Sequence, residues 1–186
     1  MDRKQFLTSC AGGACACLAA SFAPEAAAET PAPDGWKLPF VKQRYAHLIE
    51  LMSNRMSEAD FAALLHNLGA YCSSLGKASL EKYRGDVEGY AAFMRKTVSG
   101  DIVTYDRDKR LITMTSDARA DCFCPLNGAA FKTPGAVCNC SLGWQENTWQ
   151  TLLQKKVHVE LKEAVLRGGK RCTFEIHISD EPVEHA

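Results

Sequence analysis

The chain has 186 residues, and 22 Lys plus Arg balance 22 Asp plus Glu, so the formal net charge is zero. That length suits one domain with a real core. The balanced charge, with no dense block of Lys or Arg, excludes the electrostatic footprint of a nucleic-acid binder.

The chain opens like an export signal. Asp2-Arg3-Lys4-Gln5-Phe6-Leu7 is a short charged start, a run of small and apolar residues follows from Ala11 to Ala23, and Ala26-Ala27-Ala28 offers an A-x-A cleavage site. The run is too short and too rich in Gly and Ala to span a bilayer, so no integral membrane span is expected in the mature chain. Residues 1–28 are therefore read as a signal peptide, and the bacterial periplasm is the expected location. Arg3-Lys4-Gln5-Phe6-Leu7 resembles the twin-arginine signal, with Lys4 at the second arginine; that route carries folded, often cofactor-loaded proteins. Cleavage near Ala28 removes Cys10, Cys15 and Cys17 and leaves six cysteines: Cys72, Cys122, Cys124, Cys138, Cys140 and Cys172.

Residues 29–39, with Pro31, Pro33, Asp34-Gly35 and Pro39, read as a linker. Residues 40–180 read as one α+β domain, and 181–186 as a tail. From Phe40 the apolar residues Val41, Tyr45, Leu48, Ile49 and Met52 recur at helical steps. Ser57 is a good N-cap for a second helix that presents Phe61, Leu64, Leu65, Leu68 and Tyr71-Cys72 and fades near Ser74 to Gly76. A third helix is expected from Val87 to Val98, stopped by Ser99-Gly100.

The period then changes. Ile102 to Tyr105, a polar turn from Asp106 to Lys109, and Leu111 to Thr115 read as a hairpin. Residues 120–137 contain Pro and Gly and read as a loop with cysteines at both ends. A helix is expected from Trp144 to Gln154. Lys156 to Lys162 and Arg171 to Ser179 alternate strictly, with Val157, Val159 and Leu161 on one face and Cys172, Phe174, Ile176 and Ile178 on the other strand's. A turn centred on Gly168-Gly169 pairs Leu161 with Ile176 and Val159 with Ile178, and Lys162 with Glu175 and Glu160 with His177 on the opposite face. It also sets Glu163 on the apolar face near Cys172. The expected architecture is α+β: N-terminal helices packed on an antiparallel sheet of about four strands, with a cysteine-rich loop.

The cysteines carry the functional question. Cys122, Cys124, Cys138, Cys140 and Cys172 can hold zinc or another thiophilic ion, because four thiolates bind zinc tetrahedrally at about 2.3 Å. C-x-C chelates when extended, since residues i and i+2 then project to one side. An even count in an exported chain makes disulfides the competing reading, and a reactive or redox thiol is a third. A bond inside one couple is awkward, whereas bonds between couples or to Cys172 are easier.

Cys140-Ser141-Leu142-Gly143-Trp144, Val157-His158-Val159-Glu160-Leu161 and Glu163 through Gly168-Gly169-Lys170-Arg171-Cys172-Thr173-Phe174-Glu175-Ile176 resemble the end of 4-vinyl-reductase domains. They are equally similar to the end of L-2-amino-thiazoline-4-carboxylate hydrolase-like proteins. The resemblance covers residues 121–179. It implies an α+β fold with a small-molecule pocket between helices and sheet, bordered in some sensors by a cysteine-held zinc ion; Cys140 and Cys172 are the positions that carry over. Ala164-Val165 stand where those sensors have another cysteine.

Three functions follow as expectations: an exported small-molecule-binding protein with a cysteine-rich, zinc-binding site beside an apolar pocket; a hydrolase of cyclic C–N or C–S bonds, with Cys140 as nucleophile and Glu163 as base; and a disulfide-stabilised interaction protein. His158 and His177, on the polar faces of adjacent strands, are a minor ligand pair or two solvated side chains. Trp144, Trp149, Phe61, Tyr90 and Phe93 are pocket or core aromatics. No Gly-rich phosphate loop, G-x-S-x-G elbow or H-E-x-x-H motif is present.

Overall fold

The computed structural model describes residues 35–97, 102–122, 124, 127 and 134–183. The expected signal peptide, the Ser99-Gly100 stop and most of the loop from 123 to 133 lie outside the described residues. Among these residues five helices, α1 (Lys37–Arg55), α2 (Glu58–Ser74), α3 (Lys77–Leu80), α4 (Val87–Thr97) and α5 (Cys138–Leu153), accompany four strands. The strands β1 (Ile102–Asp106), β2 (Leu111–Thr115), β3 (Lys155–Glu163) and β4 (Thr173–Pro182) form one antiparallel sheet in the order β1-β2-β4-β3. The expected α+β architecture is the one found. No helix among the described residues is long and apolar enough to cross a membrane.

Helix α1 starts at Lys37, inside the stretch whose prolines suggested a linker to residue 39. Pro39 is tolerated because it falls in the first turn, where a backbone N–H has no intrahelical partner to lose. Ser57 caps α2 as expected, its hydroxyl accepting from the Asp60 amide at 3.1 Å. Strand β4 runs on to Pro182, through the start of the expected tail.

Two glycines set how α2 meets α5. A methyl group on Gly69 would collide with the Cys140 carbonyl, and one on Gly143 with the His66 carbonyl. Each helix thus offers a bare backbone to the other, and Cys140 is held against the α2 turn that leads to Cys72.

The β3–β4 register differs from the expected one by two residues: Leu161 pairs with Phe174, Val159 with Ile176 and Val157 with Ile178. The connection is longer than a two-residue turn. Val165–Arg167 forms a 3-10 turn, Gly168 takes a left-handed φ of 90°, and the ladder is irregular between Leu161 and Glu163. A shift of two preserves the side-chain faces, so the apolar rows still coincide. The expected ion pairs survive diagonally, with Lys162 Nζ 3.5 Å from Glu175 and His177 Nε2 4.0 Å from Glu160.

The main core lies between α4, α5 and the sheet, where Trp149, Tyr90, Ile112, Leu152 and Ile176 are almost fully buried. A second core, of Ile49, Phe61, Leu65 and Val137, joins α1 and α2 to the start of α5. Trp149, Tyr90 and Phe61 are therefore core aromatics.

Candidate functional site

Where these two cores meet there is a cavity of about 490 Å³. All six cysteines that outlast the expected cleavage line it: Cys72 from α2, Cys122 and Cys124 from the loop after β2, Cys138 and Cys140 from the first turn of α5, and Cys172 just ahead of β4. Its other walls are mostly apolar and include Met94, Met114, Leu161, Phe174 and Trp144. No charged side chain among the described residues lines it. A volume within the roughly 300–1,000 Å³ of small-molecule sites, and apolar walls with few polar groups, suit a small apolar ligand.

The polar groups at the wall are few, and most are spoken for. Gln145 donates to the Met114 sulfur at 3.2 Å and accepts from the Trp149 indole N–H at 3.1 Å. Ser116 grips Cys172 from both sides: its hydroxyl accepts from the Cys172 amide at 3.0 Å, and its own amide donates to the Cys172 carbonyl at 2.9 Å. Tyr45 is different: its buried hydroxyl has no hydrogen-bond partner among the described residues.

Helix α5 begins at Cys138 rather than Trp144, so Cys138 and Cys140 do not sit in a loop. That changes the geometry expected of the second C-x-C couple. Residues i and i+2 of a helix are turned about 200° apart, so they diverge instead of projecting together. Cys138 accordingly belongs to the main core with Cys172, while Cys140 packs against the second core with Cys124. No three cysteine sulfurs among the described residues lie within 4.8 Å of one another. A single tetrahedral thiolate site needs sulfurs about 3.8 Å apart, given metal–sulfur bonds of about 2.3 Å.

Two opposing effects act on the thiols of α5. A helix N-terminus favours thiolate, by roughly 0.3–1 kcal/mol. Burial wins: it pushes both Cys138 and Cys140 up to about 11 from an ordinary 9.0, with Arg167 pulling Cys138 back and the neighbouring cysteines adding to the rise. Cys122 is raised too, mainly by burial. Burial, then Cys140, Cys124 and Cys72, push Tyr45 up to about 12. At neutral pH these are protonated groups.

Glu163 is not at the cavity wall. Its Oε1 accepts from the amides of Lys170, at 2.6 Å, and Arg171, at 3.3 Å, and so closes the turn before Cys172. Glu163 pairs with Thr173. His158 and His177 lie directly opposite each other on the outer face of the sheet. There Glu160, Glu175 and His177 bring ligand atoms within 4.8 Å, but Lys162 already pairs with both carboxylates, at 3.1 and 3.5 Å.

Sequence reasoning gathered five of the six cavity cysteines and passed over Cys72, Tyr45, Ser116 and Gln145. The even count of cysteines was the one available signal for Cys72.

No sequence-family model matches this chain, and no curated protein matches it in sequence. The resemblance of residues 121–179 to the 4-vinyl-reductase group thus has no sequence-family match behind it. Solved structures do resemble the fold. A trafficking protein particle complex subunit 3 from Naegleria fowleri, crystallised covalently bound to palmitic acid, superposes with a TM-score of 0.56 at 13% identity, over 80% of this chain and 99% of that one. A vinyl-4-reductase family protein from Methanocaldococcus jannaschii superposes with a TM-score of 0.38 at 13% identity, over 77% and 82%. At such identity the first likeness speaks to the fold alone, and the second is too loose to argue from.

Proposed function

We propose that this chain is an exported small-molecule-binding protein whose apolar pocket carries a thiolate-held metal ion, zinc in the first instance. The observation that carries the reading is the convergence of Cys72, Cys122, Cys124, Cys138, Cys140 and Cys172 on one cavity of about 490 Å³. Six thiols on four separate segments line it, and no charged side chain among the described residues does. Such a donor set, soft and neutral until deprotonated, suits thiophilic ions. The remaining apolar wall suits a hydrocarbon-rich ligand, a class to which the palmitate on the Naegleria protein also belongs.

The hydrolase reading draws less support. Cys140 is pushed up to about 11, which leaves little thiolate at neutral pH, and Glu163 spends its carboxylate on the turn at Lys170 and Arg171.

The test is metal analysis of protein purified without chelator, with thiols titrated in denaturant after chelation. Bound metal and six thiols support the reading. No metal and no titratable thiols would replace it with the disulfide-stabilised interaction protein. Turnover of cyclic thioimidates or amides that Cys140→Ala and Glu163→Ala each abolish would replace it with the hydrolase.

A further inference from the structure

The outer face of the sheet carries a group of side chains that the cavity does not use. Strand β3 is an edge strand, and its pairing with β4 sets His158 directly opposite His177 and Glu160 directly opposite Glu175. Residues two apart on a strand share a face, so the four form a square of two imidazoles beside two carboxylates. None of the four is buried, whereas Val157, Val159, Phe174 and Ile176 between them are.

The ligating atoms are already close. Those of Glu160, Glu175 and His177 all lie within 4.8 Å of one another. His177 Nε2 stands 3.8 Å from Glu175 Oε2 and 4.0 Å from Glu160 Oε1, and His158 Nε2 stands 3.8 Å from that same Glu160 oxygen. The two imidazole rings are 6.3 Å apart. A zinc-sized ion with bonds of about 2.0–2.2 Å to nitrogen and oxygen holds its ligand atoms about 3.3–3.6 Å apart when tetrahedral. Exposed side chains close a gap of a few tenths of an ångström without leaving their rotamers.

A second observation is electrostatic. Like charges directly opposite each other destabilise an antiparallel pair, yet Glu160 faces Glu175. The square thus holds a place for a cation, and Lys162 reaches in from the next outward position, its Nζ 3.1 Å from Glu160 and 3.5 Å from Glu175. That lysine is half-exposed, and ion pairs at such sites contribute little, so a more strongly held ion can displace it.

We propose that His158, Glu160, Glu175 and His177 form a binding site for a divalent transition-metal ion such as zinc on the outer face of the sheet. Imidazole with carboxylate suits that class of ion, whereas magnesium and calcium prefer oxygen throughout. Neutral imidazoles and ionised carboxylates bind as they stand, and the Lys162 ammonium swings out to solvent. The ion ties edge strand β3 to β4. No thiol takes part, so the site stands or falls apart from the thiolate reading of the cavity.

NMR of the histidine rings in the full-length protein, titrated with zinc chloride and in parallel with magnesium chloride, reads this site without reading the thiols. The His158 and His177 ring signals should move together with zinc and stay in place with magnesium, while those of His47 on α1 and His66 on α2 should not follow them. Glu160→Gln should weaken zinc at these rings by about tenfold or more, since loss of even an outer partner of a metal site costs that much. Lys162→Ala should instead tighten it by about two- to fivefold, because the competing ammonium is gone. His158→Gln with His177→Gln should lower the zinc bound per chain by one ion and leave the thiol titre as in the wild type. Ring signals that stay in place under excess zinc, or that move alike in the wild type, Glu160→Gln and Lys162→Ala, overturn the site and leave the cavity reading untouched. Ring signals that respond as expected in a protein whose thiols hold no metal keep this site and sink the other.

Discussion

Helices α2 and α5 cross in close backbone contact, and Gly69→Ala tests that crossing. An added Cβ would come far inside the 3.0 Å below which real Cβ contacts essentially never fall, and the atoms it meets are the Cys140 carbonyl and the Trp144 amide. Backbone atoms cannot rotate aside, so the helices must separate. Overpacking of a core by side chains costs about 1–3 kcal/mol, and a backbone clash belongs at or above the top of that range. Alanine in a helix returns about 1 kcal/mol over glycine. The net expectation is a loss of about 2 kcal/mol, or a fall in Tm of about 4–8 °C for a chain of this size. Urea unfolding followed by circular dichroism measures it, with Gly76→Ala as control. Gly76 has a φ of −93° and meets the Ser73 carbonyl at an ordinary 3.5 Å, so its variant should stay within about 0.5 kcal/mol of wild type. A Gly69→Ala protein as stable as wild type, or more so, would refute the close crossing and with it the placement of Cys72 beside Cys140.

The buried hydroxyl pair Ser73 and Thr148, 2.8 Å apart, gives a cycle: Ser73→Ala alone should cost about 1–3 kcal/mol by orphaning Thr148, and adding Thr148→Val should recover part of it in the same unfolding assay. Because Cys138 and Cys140 hold their protons to about 11 when folded and release them near 9 when unfolded, the unfolded state binds fewer protons in that window. The stability of the reduced protein in chelator should therefore fall as pH rises from about 9 to 11, and Cys138→Ala with Cys140→Ala should flatten that slope in a Tm-versus-pH series. Glu163→Ala removes the acceptor for two backbone amides and should cost about 1 kcal/mol, while Glu163→Gln, which keeps an oxygen there, costs less; equal losses would show that the turn does not depend on it.

Much of the fold was legible because periodicity reports burial directly. Val157, Val159, Phe174 and Ile176 alternate in sequence and are buried in fact, and Ser57 caps the helix it precedes. The register slipped by two because alternation fixes only which face a residue takes, not its partner. Pairs that differ by two residues satisfy the same pattern, and the choice fell to the 3-10 turn at Val165–Arg167. The start of α5 was missed for a related reason: Cys138-Asn139-Cys140 has no capping side chain and no apolar repeat of its own, and Val137 enters the helix without a side-chain cap.

That one missed turn governs the chemistry. Read as extended chain, two C-x-C couples form one four-sulfur clamp that leaves Cys172 as a spare and Cys72 without a use. With Cys138 and Cys140 on a helix, each sulfur faces a different core, and the cores supply different companions. Cys172 stands with Cys138 in the main core, Cys140 packs against the second core with Tyr45, and Cys124 reaches both groups, its amide donating to the Cys122 sulfur at 3.5 Å. The extended clamp is not formed: no three sulfurs among the described residues lie within 4.8 Å of one another.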